Sequence, residues 1–156
     1  MASEFRLFAI GKQKAGPEAE LFERYNERLR PRLVVTELPE GRGSPIEIKR
    51  REGESLLAAL PPRANLVVLD LGGKIETSEV FAARFSVWRD DPRPLCFMIG
   101  GAEGLDRAVI DRADQTMSLG KFTWPHMLVR VMLTEQLFRA QSILSGHPYH
   151  RAGRPD

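Results

Sequence analysis

All three histidines of this chain, His126, His147 and His150, fall between positions 126 and 150, together with one of its two tyrosines, Tyr149. One of its two tryptophans, Trp124, stands just ahead of them. Imidazole and phenol groups move or orient protons near neutral pH, so this concentration marks a candidate site for acid–base chemistry. Metal chemistry is not expected. The histidines have no cysteine partners, and His147 and His150 sit three apart in a proline-containing tail rather than at a zinc-ligand spacing. Nucleophilic catalysis has no elbow motif, and the single cysteine, Cys96, lies inside the apolar run Leu95-Cys96-Phe97-Met98-Ile99.

The elements around these residues follow from periodicity. A long helix is expected from about Met127 to Leu144, and its apolar residues cover more than the roughly 100° arc of a surface helix. It should therefore be buried on two sides, in a core or against a partner chain. Arg130, Thr134, Glu135, Arg139 and Ser142 are read as its solvated edge, with Glu135 and Arg139 spaced for an i,i+4 ion pair. Upstream, the chain alternates strands and helices about five times. Phe5 to Ile10, Leu33 to Leu38, Asn65 to Leu71, Leu95 to Ile99 and Thr116 to Leu119 read as strands. Pro17 opens the first helix, expected to run until Pro31 stops it. Ser44 with Glu47 caps the second, and Thr77 or Ser78 caps the third, whose Phe81, Phe85 and Trp88 fall on one face. This alternation predicts an α/β domain with a parallel sheet.

In such sheets ligands bind at the carboxyl ends of strands. Three loops qualify by position, 69–73, 99–104 and 119–124, and the glycines in them let backbone amides approach a ligand. Gly100-Gly101-x-x-Gly104 is neither the dinucleotide fingerprint nor a P-loop. Three such loops together argue for a small-molecule pocket.

Bulk properties narrow the class. A chain of 156 residues, 42% hydrophobic and 28% charged, fits one ordinary globular domain, expected over 5–151 with frayed termini at 1–4 and 152–156. A net charge of +2 is too small for the whole molecule to attract nucleic acid, so RNA contact would need a local patch. One basic segment, with Arg28, Arg30, Arg32, Arg42, Lys49, Arg50 and Arg51, reads as a solvated face or as a phosphate-binding surface. No apolar run approaches the ~18 residues of a membrane span. The start of the chain lacks a signal-peptide layout, and a lone core cysteine fits a reducing, cytoplasmic setting.

Four motifs together carry a resemblance. Val68-Leu69-Asp70, Ile99-Gly100-Gly101-Ala102-Glu103-Gly104, Pro125-His126-Met127-Leu128-Val129-Arg130 and His147-Pro148-Tyr149-His150-Arg151, in this order, resemble the bacterial ribosomal RNA large-subunit methyltransferase H family. The likeness covers nearly the whole chain. It implies the SPOUT fold, an α/β domain with a C-terminal trefoil knot, and a homodimer. It also implies methyl transfer from S-adenosylmethionine to N3 of a pseudouridine in 23S ribosomal RNA, on the assembled ribosome. Carried over by motif, cofactor contacts fall on Leu69, Gly100, Leu119, Gly120, Lys121, Phe122, Thr123 and Trp124. His150, Tyr149 and His126 become candidates for orienting or deprotonating the target base, the first two ahead of His126, and Arg139 is a further catalytic candidate. Arg130 and Arg139 could hold phosphate or a developing imide anion. Met127 and Trp124 depart from the family pattern, which often has proline at the first position and a less bulky residue at the second. Two other readings stand beside this one: a related SPOUT enzyme acting on transfer RNA, and a ribosome-binding module without enzymatic activity.

Overall fold

The computed structural model describes residues 4–151, so the expectations for 1–3 and 152–156 lie outside the described residues. Five strands and five helices alternate: β1 (Phe5–Ile10), α1 (Pro17–Asn26), β2 (Leu33–Leu38), α2 (Pro45–Ala59), β3 (Asn65–Ile75), α3 (Ser78–Asp90), β4 (Leu95–Ile99), α4 (Arg107–Arg112), β5 (Gln115–Ser118) and α5 (His126–Ser145). The strands form one parallel sheet in the order β2-β1-β4-β3-β5.

Strand alternation sends side chains to two faces, and each face has its own core. Phe5, Leu7, Val67, Leu69, Phe97 and Ile99 point to a layer made by α1, α3 and α5. Phe8, Ile10, Leu66, Val68, Cys96 and Met98 point to the layer of α2 and α4. Covering both faces is what the continuous apolar runs of β3 and β4 require. Phe81, Phe85 and Trp88 are all buried, as their spacing predicts, and Cys96 is fully enclosed. Burial pushes the Cys96 thiol up to about 11. No helix among the described residues is long and apolar enough to cross a membrane.

Three expectations change in detail. Helix α1 stops at Asn26, before Pro31 could end it. The buried Asn26 side chain leaves the helical pattern to bond Leu33, donating to its carbonyl at 3.0 Å and accepting from its amide at 2.8 Å. An amide that makes two sheet-like hydrogen bonds favours the turn over another helical residue. Strand β3 runs on to Ile75 through a register shift, in which Leu69 and Lys74 both pair with Met117. A Cβ on Gly73 would stand 2.6 Å from the Met117 carbonyl carbon, so only glycine lets the two backbones meet there.

The third change concerns α5. Arg130, Thr134 and Ser142 are buried rather than solvated. The hydroxyls are tolerated because they bond their own helix: Thr134 Oγ1 donates within reach of the Val131 carbonyl at 2.8 Å, and Ser142 Oγ to the Phe138 carbonyl at 2.9 Å. Only Glu135 and Arg139 remain on the partly wet edge, paired at 2.6 Å as the spacing predicts. Helix α5 is thus enclosed between α1 and α3, and Gly146, at φ 75°, ends it in the left-handed conformation.

Candidate active site

Because β4, β3 and β5 are consecutive in the sheet, the loops after them meet. They frame a cavity of about 840 Å³. That lies within the range for small-molecule and cofactor sites. The loop 99–104 approaches too closely for side chains. A Cβ on Gly100 would lie 2.9 Å from Gly104 backbone, and one on Gly101 would lie 3.0 Å from the Glu52 carboxylate and 3.1 Å from Ile10. Loop 119–124 is held at its base by Ser118, whose Oγ donates to the Gly120 carbonyl at 2.8 Å and accepts the Gly120 amide at 3.2 Å.

Six expected contact residues line this cavity: Leu69, Gly100, Leu119, Gly120, Thr123 and Trp124. Lys121 and Phe122 do not; both are exposed and outside its wall. His126 lines it from the start of α5. Lys49, Asp70 and Glu103 also face it. Sequence reading placed Asp70 and Glu103 in the right loops without giving them a role, and counted Lys49 only within a basic segment.

Arg139, Tyr149 and His150 come together elsewhere, against α1, α3 and α5, and none of them lines the large cavity. Tyr149 packs edge-on against Phe138 at 4.7 Å, and its hydroxyl donates to Glu135 at 3.0 Å. Burial, with hydrogen bonds to Tyr25 and Glu135, drives the phenol pKa well above its ordinary value of 10.0. Tyr149 is held as a hydrogen-bond donor to Glu135. The Arg139 guanidinium can only donate, so His150 Nδ1, 3.0 Å away, accepts; the proton then sits on Nε2, which donates to Glu79 at 2.8 Å. That bond holds the Glu79 carboxyl below its ordinary range. Burial works against the Arg139 charge, but the Glu135 hydrogen bonds outweigh it and raise the pKa. A second cavity of about 510 Å³, lined by Glu135, Tyr25 and Ser78, lies beside this cluster. Both cavities share Met117, Ser118, Leu119 and Gly120, so the end of β5 separates them.

A family profile described as "Predicted SPOUT methyltransferase" matches residues 4–150. Ribosomal RNA large subunit methyltransferase H of Gluconacetobacter diazotrophicus is 59% identical over 150 residues, covering 96% of this chain and 99% of that protein. The protein of the same name from Acidiphilium cryptum is 56% identical over 153 residues, covering 98% and 97%. This chain belongs to the ribosomal RNA large subunit methyltransferase H family of SPOUT methyltransferases. In Rhodospirillum centenum the similarly named relative is 51% identical over 148 residues.

Two charged residues of this SPOUT methyltransferase have positions that the sequence did not disclose. Arg130 is 1% exposed and cannot hold phosphate. It pairs with Glu37 and donates to the carbonyls of Gly11, at 2.7 Å, and Ile10, at 3.3 Å. It ties the start of α5 to the carboxyl ends of β1 and β2. Glu52, 4% exposed, accepts the Gly41 amide at 2.9 Å with one carboxylate oxygen. The other has no hydrogen-bond partner and abuts Gly101. Nothing in the string Arg50-Arg51-Glu52-Gly53-Glu54 distinguishes that buried acid from its solvated neighbours.

Of the seven cations in the basic segment, two have carboxylate partners among the described residues and a third lies over an aromatic ring. Arg51 pairs with Glu47 at 3.2 Å, Arg50 with Glu54 at 3.5 Å, and Arg28 lies 4.2 Å over the Phe138 ring. Among the described residues, no group of three or more His, Cys, Asp or Glu side chains could hold a metal ion.

Proposed function

We propose that this SPOUT methyltransferase transfers a methyl group from S-adenosylmethionine to N3 of a pseudouridine in 23S ribosomal RNA, on the assembled ribosome, as a cytoplasmic homodimer. The observation that carries the reading is the cavity at the ends of β3, β4 and β5, framed by close-packed glycine backbone, in a chain 59% identical to a ribosomal RNA methyltransferase. The trefoil knot expected of the family would draw loop 119–124 and α5 around that cavity.

The residues suit the cofactor. Leu69, Ile99, Leu105 and Val129 offer apolar walls for a flat heterocycle. Main-chain groups of 99–104 and 119–124 offer donors and acceptors, and Lys49, Asp70 and Glu103 offer charge for an amino-acid end. When bound, S-adenosylmethionine supplies an electrophilic methyl on a sulfonium. The protein's part is chiefly positioning, with removal of the N3 proton.

The local geometry divides that labour. His126 lines the cavity and makes no side-chain hydrogen bond among the described residues, so its imidazole is free to take the proton. Both ring nitrogens of His150 are occupied, and Tyr149 is a donor. With Arg139 these two suit orienting the base or stabilising charge at a carbonyl oxygen. Their distance from the large cavity within one protomer fits a site completed across a dimer. For the base we therefore favour His126, where the sequence alone favoured His150 and Tyr149.

The deciding experiment supplies labelled S-adenosylmethionine with assembled ribosomes lacking the modification, free large-subunit RNA and transfer RNA. Label mapped to one pseudouridine of ribosomal RNA is expected. Label in transfer RNA alone would replace the substrate, and cofactor binding without any methyl transfer would overturn the enzymatic reading.

A further inference from the structure

Phe122 and Trp124 are out of place by the rule that builds the rest of the molecule. The chain has eight phenylalanines, and the other seven are buried; Phe122 is 79% exposed. Of the two tryptophans, Trp88 is in the core and Trp124 is 40% exposed. Both exposed rings belong to one loop, 119–124, and they meet edge to face at 6.3 Å between centroids. Aromatic side chains are among those a fold gains most by burying. The fold leaves that gain unused at two positions side by side.

Their place in the molecule limits what could cover them. Trp124 lines the large cavity and Phe122 does not, so the pair straddles the rim. An occupant that covers both rings must come from outside, across the mouth through which a methyl acceptor enters. Lys121, next to Phe122, is exposed and forms no ion pair with any described residue. An apolar protein interface would have to desolvate that ammonium without compensation. A polyanion carrying flat rings satisfies all three side chains at once. Its bases stack on aromatic faces while its phosphates meet the lysine. The Ser118–Gly120 hydrogen bonds hold the base of the loop, so the rings are presented in a set orientation.

We propose that Phe122 and Trp124 form a stacking platform for an unpaired RNA base beside the methylated one, with Lys121 holding the adjoining phosphate. This rests on the RNA methyltransferase reading above, and it moves the side chains of Lys121 and Phe122 from the cofactor to the RNA. Trp124, bulkier than the residue usual in the family, belongs to both surfaces.

The test uses the full chain, S-adenosylmethionine and assembled ribosomes lacking the modification. Steady-state methylation gives KM and kcat for ribosomes, calorimetry gives cofactor Kd, and light scattering gives mass. Alanine at a base-stacking ring costs ~1–3 kcal/mol, roughly 5- to 150-fold in affinity. Phe122→Ala should therefore raise KM for ribosomes at least about 5-fold, with cofactor Kd and mass unchanged. Trp124→Ala should raise it too, together with cofactor Kd because the ring also lines the cavity; Trp124→Phe should stay near the parent KM, whereas Trp124→Leu, bulky but without a flat ring, should not. Lys121→Ala should flatten the salt dependence of KM by about one phosphate contact.

An unchanged ribosome KM in Phe122→Ala overturns the platform. So does a rise in cofactor Kd by the same factor, which would put the ring over the cofactor, or a loss of dimer mass, which would put it in a protein interface. Failure of the underlying reading shows earlier and separately: the parent enzyme would methylate no RNA before any variant is made, and the platform would fall with it.

Discussion

Arg130 shows how a single charge can organise the approach to the site. Its guanidinium is buried, pairs with Glu37 and bonds two main-chain carbonyls of the β1 end. Partial burial works against the Glu37 carboxylate, but hydrogen bonds from Arg130 and the Gln13 amide outweigh it and lower its pKa from the ordinary 4.5. Glu37→Gln leaves a buried charge half-compensated. Breaking a buried pair costs ~3–5 kcal/mol, and because Glu37 is partly exposed the expected loss is about 2 kcal/mol. In thermal unfolding this corresponds to a fall of roughly 4–8 °C. The sign with pH follows from the lowered pKa. The contribution is present above the ordinary carboxylate range and is lost as pH falls through the folded-state value. The parent and Glu37→Gln should therefore converge in stability as pH falls below the ordinary carboxylate range; a gap that stays constant throughout acid titration would refute the assignment. At Tyr149 the prediction concerns activity. Tyr149→Phe removes the donor to Glu135 and should lower kcat at least about 10-fold, with little change in cofactor Kd by calorimetry. Equal turnover would remove Tyr149 from the mechanism.

At the scale of elements, the site depends on backbones that meet without side chains between them. Gly73 lets β3 resume pairing with β5 after its register shift, and a Cβ there would lie 2.6–2.8 Å from Met117 backbone atoms. Gly73→Ala must push strand from strand, and should cost about 3 kcal/mol, in the range of other strained core changes. Gly104 offers the contrast. Its φ is +84°, but a Cβ would meet nothing within 4 Å, so Gly104→Ala should cost only about 1 kcal/mol of backbone strain. Urea denaturation of both variants measures the difference directly; equal losses would show that φ rather than contact governs both positions. Gly101 combines structure with function, because it is held between the cavity and the Glu52 carboxylate. A Cβ there would press on Glu52 and Ile10, so Gly101→Ala should lower stability by about 1–3 kcal/mol in the same urea measurement.

For the whole molecule, the division into two sites on either side of the β5 end sets the expectation. The large cavity holds His126, while Arg139, Tyr149 and His150 gather near the smaller one. A homodimer would let one protomer's tail serve the other's cavity. Light scattering should then give twice the 17.6 kDa of the chain. Mixing a His126→Ala protomer with a Tyr149→Phe protomer should recover part of the parent activity, since one cavity in each mixed dimer keeps both groups intact. No recovery in a confirmed mixed dimer would place the groups of each site in a single protomer.

Much of this was legible from residue order, because it rests on local physics. Proline at the start of α1, Ser44 at the cap of α2 and Thr77 at the cap of α3 satisfy helix ends wherever the helix lies. The apolar runs of β3 and β4 require two covered faces, and glycines after strands mark the ligand loops. The motifs at 68–70, 99–104, 125–130 and 147–151 pointed to the family. What the tertiary structure decided is every pairing between distant residues. Periodicity assigned Arg130, Thr134 and Ser142 to solvent, because one helix cannot reveal that α1, α3 and the sheet all pack against it, or that Arg130 reaches the ends of β1 and β2. Glu52 read as one more surface acid, because its burial depends on loops 41 and 101 arriving from elsewhere. Local sequence determines which segments are helices, strands and turns. Which charges are buried, which rings are left bare and which histidine faces the cavity depend on distant partners, as Arg130 does on Ile10, 120 positions away.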